Sequence, residues 1–280
     1  MMRTLLISAI VSLSAGAAFA QQRPLVTEDP ETVGAGRVLV EGGIEYARDA
    51  VYPVSGLKGQ LLRLPLVGLS IGVSSIAEIQ VDQASFSRLT VTSRRPAPLS
   101  NLLTSTGTST VDADDLLIGA KIRLTAEGTS RPALGFRFAT KLPNAGNESG
   151  LGLDTTDFFA SILGGKTTES VRIVANVGLG ILGDPTNGNR QNDVITYGLS
   201  FARAITRGAE VVGEINGRAN TRSAGALPGT ESRSLVRMGL RYTKGGWRGD
   251  AGLLLGATNN DPSIGFTTGF TYVFTAFQVP

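Results

Sequence analysis

Apolar and polar residues alternate along most of the chain. Residues 115–124 show the pattern: Leu116, Ile118 and Ile122 occupy one set of alternate positions, and Lys121 and Arg123 occupy the other. The same period recurs at 38–46 and 234–242. Successive side chains of a β-strand point to opposite sides, so this period predicts strands with one apolar and one polar face. An amphipathic helix would need apolar residues spaced by three and four, and these windows lack that spacing.

About twelve such segments follow one another. They lie near residues 37–46, 60–73, 77–86, 114–125, 132–141, 155–165, 170–182, 194–204, 209–218, 232–243, 247–256 and 264–277. Short connections, such as 74–76, alternate with long ones, such as 47–59 and 87–113. Short turns at one end and long loops at the other are typical of outer-membrane barrels, which have an even number of strands. The sequence therefore predicts an all-β fold, a transmembrane antiparallel up-and-down β-barrel over residues 37–280.

A soluble β-sandwich also alternates, so the character of the polar face matters. This face carries charges of both signs, which could neutralise one another across a confined lumen. Asp82 lies on it, and the candidate lumen and selectivity residues are Glu41, Glu45, Arg63, Glu78, Lys121, Arg123, Arg137, Arg172, Glu214, Arg233, Arg237 and Arg241. A membrane barrel with a charged interior is the interpretation that we prefer.

The last predicted strand has aromatic residues at alternate positions. Phe270, Tyr272 and Phe274 resemble the C-terminal signal by which the barrel-assembly machinery recognises outer-membrane proteins, although the chain here continues to Pro280. Aromatic residues near strand ends, such as Trp247, are also typical of the girdles at the two membrane interfaces.

The composition excludes several kinds of chemistry. The 280 residues include 36 glycines but neither cysteine nor histidine, so disulfides, thiolate nucleophiles, imidazole bases and the common zinc ligands are absent. No nucleophile stands beside a recognisable base, and we expect no enzyme activity, no cofactor and no metal. A net charge of +3 gives no reason to expect nucleic-acid binding.

The N-terminus has the features of a secretory signal peptide. Arg3 precedes an apolar run at residues 4–17, and Ala18, Phe19 and Ala20 fit the small-residue cleavage rule, so we expect residues 1–20 to be removed. The expected location is the bacterial outer membrane. Residues 21–36 contain Pro24 and Pro30 without strand alternation, and they form either a plug inside the barrel or a periplasmic tail.

Several short motifs together resemble a known family. Residues 23–37 read RPLVTEDPETVGAGR, and shorter matches lie at 62–65, 114–121, 141–143 and 175–178. With these motifs the chain resembles the outer-membrane family named for the MetA pathway of phenol degradation. The resemblance implies an outer-membrane barrel that passes small, often hydrophobic or aromatic compounds, and it implies no catalytic residues.

Three other motifs have competing interpretations. Gly178 to Gly183 fits the dinucleotide-binding pattern, but no helix follows, so a glycine-rich strand is preferred. Arg94 and Arg95 could bind lipopolysaccharide phosphates, although ordinary loop charge is favoured. The arginine row at 233, 237 and 241, flanked by Arg218 and Arg248, is either an anion-attracting stripe or a set of partners for Glu210, Glu214 and Asp250; we favour pairing.

Three functional classes are compatible with these patterns. The preferred function is a channel that passes small molecules, with membrane lipid, lipopolysaccharide and a small-molecule substrate as partners. A gate formed by residues 21–36 and by the loop at 87–113 is part of this hypothesis. The alternatives are a structural or surface-interaction barrel without flux and, less favoured, a soluble exported β-protein that binds a ligand.

Overall fold

The computed structural model describes residues 23–222 and 225–279, and the predicted signal peptide lies outside these residues. The described residues form fourteen strands, which we number in chain order. Their bounds are β1 Arg37–Tyr52, β2 Leu57–Gly72, β3 Ala77–Ala84, β4 Phe86–Arg94, β5 Ser109–Ala113, β6 Leu117–Thr125, β7 Ala133–Lys141, β8 Asp157–Thr168, β9 Val171–Gly183, β10 Gln191–Ala204, β11 Ala209–Asn220, β12 Arg233–Lys244, β13 Trp247–Gly256 and β14 Ile264–Thr275.

These strands make one closed barrel with twelve positions in its wall. Each strand pairs antiparallel with its neighbours, and β1 pairs with both β2 and β14, which closes the sheet. Strands β3 and β4 both pair with β2, and their partners on the other side are β6 and β5. Strands β3 and β4 together therefore form one wall strand, which is interrupted at Ser85. Strands β5 and β6 together form the next wall strand, which is interrupted at residues 114–116. The predicted fold class is confirmed.

Most short connections lie at one end of the barrel, and the longest connections lie at the other. Turns such as 73–76, 169–170 and 245–246 are at the same end as residue 36 and the end of β14, and this end corresponds to the periplasmic side. The longer connections at 95–108, 142–156 and 221–232 are at the other end. Within the described residues, no helix is long and apolar enough to cross a membrane.

The predicted long loops at 47–59 and 87–113 are wrong in extent. Strands β1 and β2 continue to a four-residue turn at 53–56, and β4 and β5 occupy much of 87–113. Leu57 and Leu89 in these extensions are buried in one cluster with Leu61. Beyond the membrane the outward face of a strand contacts water, so the apolar residues turn inward. This reversal hid the strands from a search for an apolar outward face.

The outer surface of the barrel is apolar. Ile162, Val177, Leu179 and Met238 are more than half exposed in the middle of their strands. Exposed apolar surface on this scale is unfavourable in water and favourable against lipid. At the periplasmic edge, Trp247 stacks on Tyr272 with 4.3 Å between ring centroids, which is the position expected for an aromatic girdle.

Candidate functional site: the barrel lumen

The candidate lumen residues lie at inward positions of the wall. Lys121 on β6 is fully buried, whereas Ile118 and Ile122 on the same strand are exposed on the outside. Glu78, which faces Lys121 across the β3–β6 ladder, is also buried. Alternation therefore places the charged face inside the barrel and the apolar face outside.

Residues 23–33, which we call the N-terminal segment, run along the inside of the wall in its periplasmic half. The backbone N–H of Val33 donates to Glu78 on β3 at 2.6 Å. Leu25 packs against Ala202 on β10 and Val212 on β11. Arg23 reaches Asp250 on β13 at 3.3 Å. The segment thus follows the wall from β3 round to β13.

Wall side chains accept the backbone hydrogen bonds of this segment. Glu214 on β11 accepts from the N–H groups of Val26 and Thr27, at 2.9 and 2.8 Å. Asn176 on β9 accepts from the N–H of Glu28 at 2.7 Å and donates to the Glu28 carbonyl at 2.8 Å. The segment forms no strand, so its buried N–H groups need partners of this kind.

A group of buried charges fixes Glu28. Lys121 Nζ lies 3.3 Å from a Glu28 carboxylate oxygen and 3.0 Å from Glu78. Arg137 on β7 is 3.2 Å from Glu28 and 3.0 Å from Asp82. Removal of one partner from a buried ion pair typically costs about 3–5 kcal/mol, because the other charge stays desolvated. Glu28 is therefore firmly held.

Two further acidic residues of the segment pair with arginines of the wall. Asp29 lies 2.7 Å from Arg172 on β9, and Glu31 lies 2.5 Å from Arg123 on β6. Arg172 also contacts Glu127, in the periplasmic turn 126–132, at 2.6 Å. Partial desolvation of Glu127 opposes ionisation, but hydrogen bonds from Thr167 and Lys166 outweigh it and lower the pKa of Glu127.

Pro24 and Pro30 fit against the wall at glycines. A Cβ atom on Gly135 of β7 would lie 3.1 Å from Cβ of Pro30, and one on Gly252 of β13 would lie 3.2 Å from Cβ of Pro24. Most side chains at these wall positions would therefore press against the segment. Part of the high glycine content thus has a local cause: the wall needs room for a second layer of chain.

The β1–β2 side of the lumen contains the remaining candidate carboxylates. Glu41 accepts hydrogen bonds from Thr271 Oγ1 at 3.2 Å and from the backbone N–H of Arg23 at 3.5 Å. Arg63 lies 2.8 Å from Glu45 and 3.3 Å from Asp114. Arg63, Glu45 and Asp114 are thus paired within the wall, next to the interruption between β5 and β6.

The arginine row on β12 divides into paired and unpaired members. Arg237 lies 3.1 Å from Glu214, and Arg241 lies 3.1 Å from Glu210. Arg233 donates instead to the carbonyl of Val51 at 3.1 Å, and no carboxylate of the described residues is within 4.0 Å of it. Its cross-strand neighbour, Arg218, donates to the carbonyls of Gly229 and Glu231. Among the described residues neither arginine has an ion-pair partner within 4.0 Å, and the carboxylates of Glu231, Asp157 and Asp261 act on Arg218 from farther away.

The extracellular half of the lumen has an apolar region on β1, β2 and β4. Ala47, Leu57, Leu61 and Leu89 form a buried cluster, and Leu103 and Leu151 from two extracellular loops pack against it. The turn 53–56 is tied to the second of these loops by a 2.7 Å hydrogen bond from Ser55 Oγ to the Gly150 carbonyl. The lumen is thus charged where it holds the N-terminal segment, and beneath the loops it has an apolar region on β1, β2 and β4 together with the arginines of β11 and β12.

Sequence reasoning did not select Gln80, Asn176, Glu28, Asp29 or Glu31. Gln80 and Asn176 are uncharged and were overlooked in a search for charge, although alternation places both inside. The three acidic residues belong to a segment without periodicity. The charges of the lumen candidates contain the signal that was missed. Basic residues outnumber acidic ones among these candidates, and the segment supplies the acidic partners.

The described residues contain no group of three or more carboxylates arranged to hold a metal ion. The three aspartates at 112, 114 and 115 have protein partners: Asp112 accepts a hydrogen bond from the N–H of Gly146 at 2.9 Å, Asp114 contacts Ser85 and Ser87, and Asp115 lies 2.7 Å from Lys141.

Comparisons with known proteins show the fold. No protein-family model matches the sequence, and no curated protein matches it. The crystal structure of an outer-membrane channel from Pseudomonas putida F1 is similar, with a TM-score of 0.62 and 13% sequence identity over 88% of this chain and 98% of that one. The NanC porin gives a TM-score of 0.51 and 8% identity over 84% of this chain and 98% of that one. The fold is therefore that of outer-membrane β-barrels.

Proposed function

We propose that this protein is an outer-membrane channel for small molecules and that the N-terminal segment is a plug that must move before solutes pass. One observation carries the proposal: residues 23–33 are bound to the inner wall on strands from β3 to β13, through backbone hydrogen bonds and ion pairs. A purely periplasmic tail would have no use for such partners inside the barrel.

The size of the barrel is consistent with a narrow passage. Side chains fill barrels of eight strands, and barrels of sixteen or more leave a wide channel, so twelve strands give an intermediate interior. A second layer of chain inside such a wall takes much of that space. The two similar structures are described as an outer-membrane channel and a porin, and this description adds support for a transport role.

The substrate class is part of the same proposal. The resemblance at residues 23–37 points to small hydrophobic or aromatic compounds, and the apolar cluster at Leu57, Leu61 and Leu89 offers such compounds a surface inside the barrel. The unpaired Arg218 and Arg233 would favour substrates that also carry an acidic group. We propose neither nucleic-acid binding nor a catalytic role.

The proposal extends to export and assembly of the barrel. We propose that residues 1–20 are cleaved on export and that Phe270, Tyr272 and Phe274 on the final strand present the signal to the barrel-assembly machinery. Tyr272 and Phe274 stack with 5.5 Å between ring centroids, and Phe270 and Phe274 are exposed on the outside, where another protein can reach them.

Deletion of residues 21–32 tests the channel proposal in planar bilayers. We expect the refolded full-length mature protein to give small or infrequent steps and the deletion variant to give larger, persistent steps. A shift in gel mobility on heating verifies that both barrels are folded. Equal conductance of the two proteins would reject the plug.

A barrel without flux is the second candidate. The same ion pairs favour it, since Lys121, Arg137 and Arg172 hold the segment against β6, β7 and β9 on one side of the wall. Silence from the folded deletion variant would support this structural role over transport.

A further inference from the structure

The outer face of the barrel has basic side chains at the extracellular end of one sector. Arg48 on β1, Lys58 on β2 and Arg88 on β4 occupy outward positions, and we call them the basic sector. Arg88 is exposed between Ser87 and Leu89, which are both fully buried on the inside. Alternation therefore turns Arg88 outward.

Arg88 lies at the extracellular edge of the apolar band. Its cross-strand neighbours are Leu62 on β2 and Val111 on β5, and Phe86 is the preceding outward residue on its own strand. Phe86 and Val111 are more than half exposed. On several other strands the outward residues near the extracellular end are apolar, namely Phe158, Ile181, Ile195, Leu255 and Ile264, whereas β10 begins with the exposed polar residues Gln191 and Asp193. The basic sector thus differs from strands whose outward side chains near the extracellular end are apolar.

The charge of this sector is only partly compensated. Arg48 and Lys58 share Asp49, at 3.8 and 3.3 Å. Hydrogen bonds from Ser263 and Lys58 lower the pKa of Asp49, so this carboxylate stays ionised at neutral pH. Arg88 has no ion pair or side-chain hydrogen bond within the described part of the chain. Three cations therefore face the membrane edge with one carboxylate.

Membrane physics limits where such charges are tolerated. A lipid-facing arginine strongly destabilises a barrel at the bilayer midplane but is nearly neutral close to the interface. At the interface it meets head groups, and a guanidinium binds a phosphate through two parallel hydrogen bonds. An outward arginine at the edge of the apolar band is therefore well placed to bind a lipid phosphate.

We propose that the basic sector is a docking site for the phosphorylated head group of lipid A, the membrane anchor of lipopolysaccharide. Lys58 lies four residues along β2 from the position opposite Arg88, which is about 13 Å along the strand. Gln60 on β2 and Thr90 on β4, which pair with each other, provide polar groups between them. Two cationic centres at this separation suit a head group that carries two phosphates. The proposal rests on outer-membrane placement and not on transport.

Native mass spectrometry of the refolded mature protein in micelles tests the site. The probes are diphosphoryl lipid A and the same lipid after removal of both phosphates. We expect the wild type to bind the phosphorylated lipid at least about tenfold more tightly. The double variant R88Q/K58Q should lose this preference. The control R190Q/R222Q removes two positive charges from extracellular loops and should keep it.

Equal binding of the two lipids by the wild type would overturn the proposal. An equal loss of preference in R88Q/K58Q and R190Q/R222Q would overturn it as well, because only bulk charge would then be acting. The single variant R88Q serves if the double variant does not refold, as judged by heat-dependent gel mobility. The lipid-binding measurement does not depend on transport. A barrel that gives no conductance steps in the bilayer experiment therefore leaves the result for lipid binding unaffected.

Discussion

At the scale of single residues, the molecule depends on charges that are buried and paired. Lys121 is fully buried between Glu28 from the N-terminal segment and Glu78 from the wall. A lysine in this position is stable only because both carboxylates compensate the loss of water. The contact joins the segment to the wall, so it bears on the proposed plug as well as on the stability of the barrel.

Replacement of Lys121 by methionine should weaken both the binding of the N-terminal segment and the stability of the barrel. The change leaves Glu28 and Glu78 without the ammonium group, and we expect it to lower the free energy of unfolding by about 3–5 kcal/mol and to increase channel opening. Urea titration of the folded, heat-modifiable gel band measures the first effect, and bilayer recording measures the second.

The matched control is Lys166→Met. Lys166 pairs with Glu127 in the periplasmic turn, its side chain is 34% exposed, and it does not contact the segment. We expect a change below about 1 kcal/mol and wild-type conductance. A similar effect of the two substitutions would show that Lys121 has no special connection to the plug.

At the scale of elements, the N-terminal segment fits the wall because the facing strands contribute glycines. Gly135 and Gly252 leave space for Pro30 and Pro24. In the middle of a strand, glycine weakens the sheet, so these positions indicate that another chain approaches closely. The segment and the glycines of β7 and β13 therefore form one structural unit.

Valine at Gly135 tests this unit without a change of charge. Its Cβ would press on Pro30, so we expect the segment to shift and the mean conductance to rise towards that of the deletion variant. Valine at Gly249 is the control, because a Cβ there meets no atom within 4 Å. Wild-type conductance in both variants would argue against close packing of the segment.

The extent to which the sequence revealed each element follows from its periodicity. Strands such as β6 and β12 have an apolar outward face and a polar inward face, so alternation located them closely. Strand β4 reverses this order from the edge of the apolar band, with Leu89 inside and Arg88 outside, and was mistaken for loop. The short β5 keeps the usual order, with Val111 outside and Thr110 inside, but its five residues were also included in the predicted loop. The segment has no period, so sequence reasoning left open whether it is a plug or a tail. Its position depends on contacts with residues distant in the chain.

At the scale of the whole molecule, the apolar exterior and the charged interior make a membrane barrel, and the exterior can be tested directly. Val177 is 63% exposed in the middle of β9 and faces outward. We expect Val177→Arg to destabilise the barrel in lipid vesicles by about 2–4 kcal/mol, because it places a charge near the centre of the bilayer.

Gln60→Arg is the control for this substitution. Gln60 lies on the same outer face but at the extracellular end of β2, where we expect a cost of roughly 0–1 kcal/mol. Guanidinium-induced unfolding of both variants in the same vesicles gives the comparison. Equal costs at the two positions would contradict the assigned membrane span.

The central claim is that the N-terminal segment controls passage through the lumen, and a reversible cross-link tests it most directly. A Cβ on Gly198 of β10 would lie 3.4 Å from Cβ of Thr27, close to the separation that a disulfide spans. The natural chain has no cysteine, so the T27C/G198C protein contains only the intended pair.

The measurement is bilayer conductance of this one preparation before and after reduction, with each single-cysteine variant as a control. We expect the oxidised protein to remain closed and the reduced protein to recover the openings of the wild type. The conductance of the single-cysteine variants should not change on reduction. Identical conductance of the oxidised and reduced double variant, with the cross-link verified by mass spectrometry, would contradict the claim.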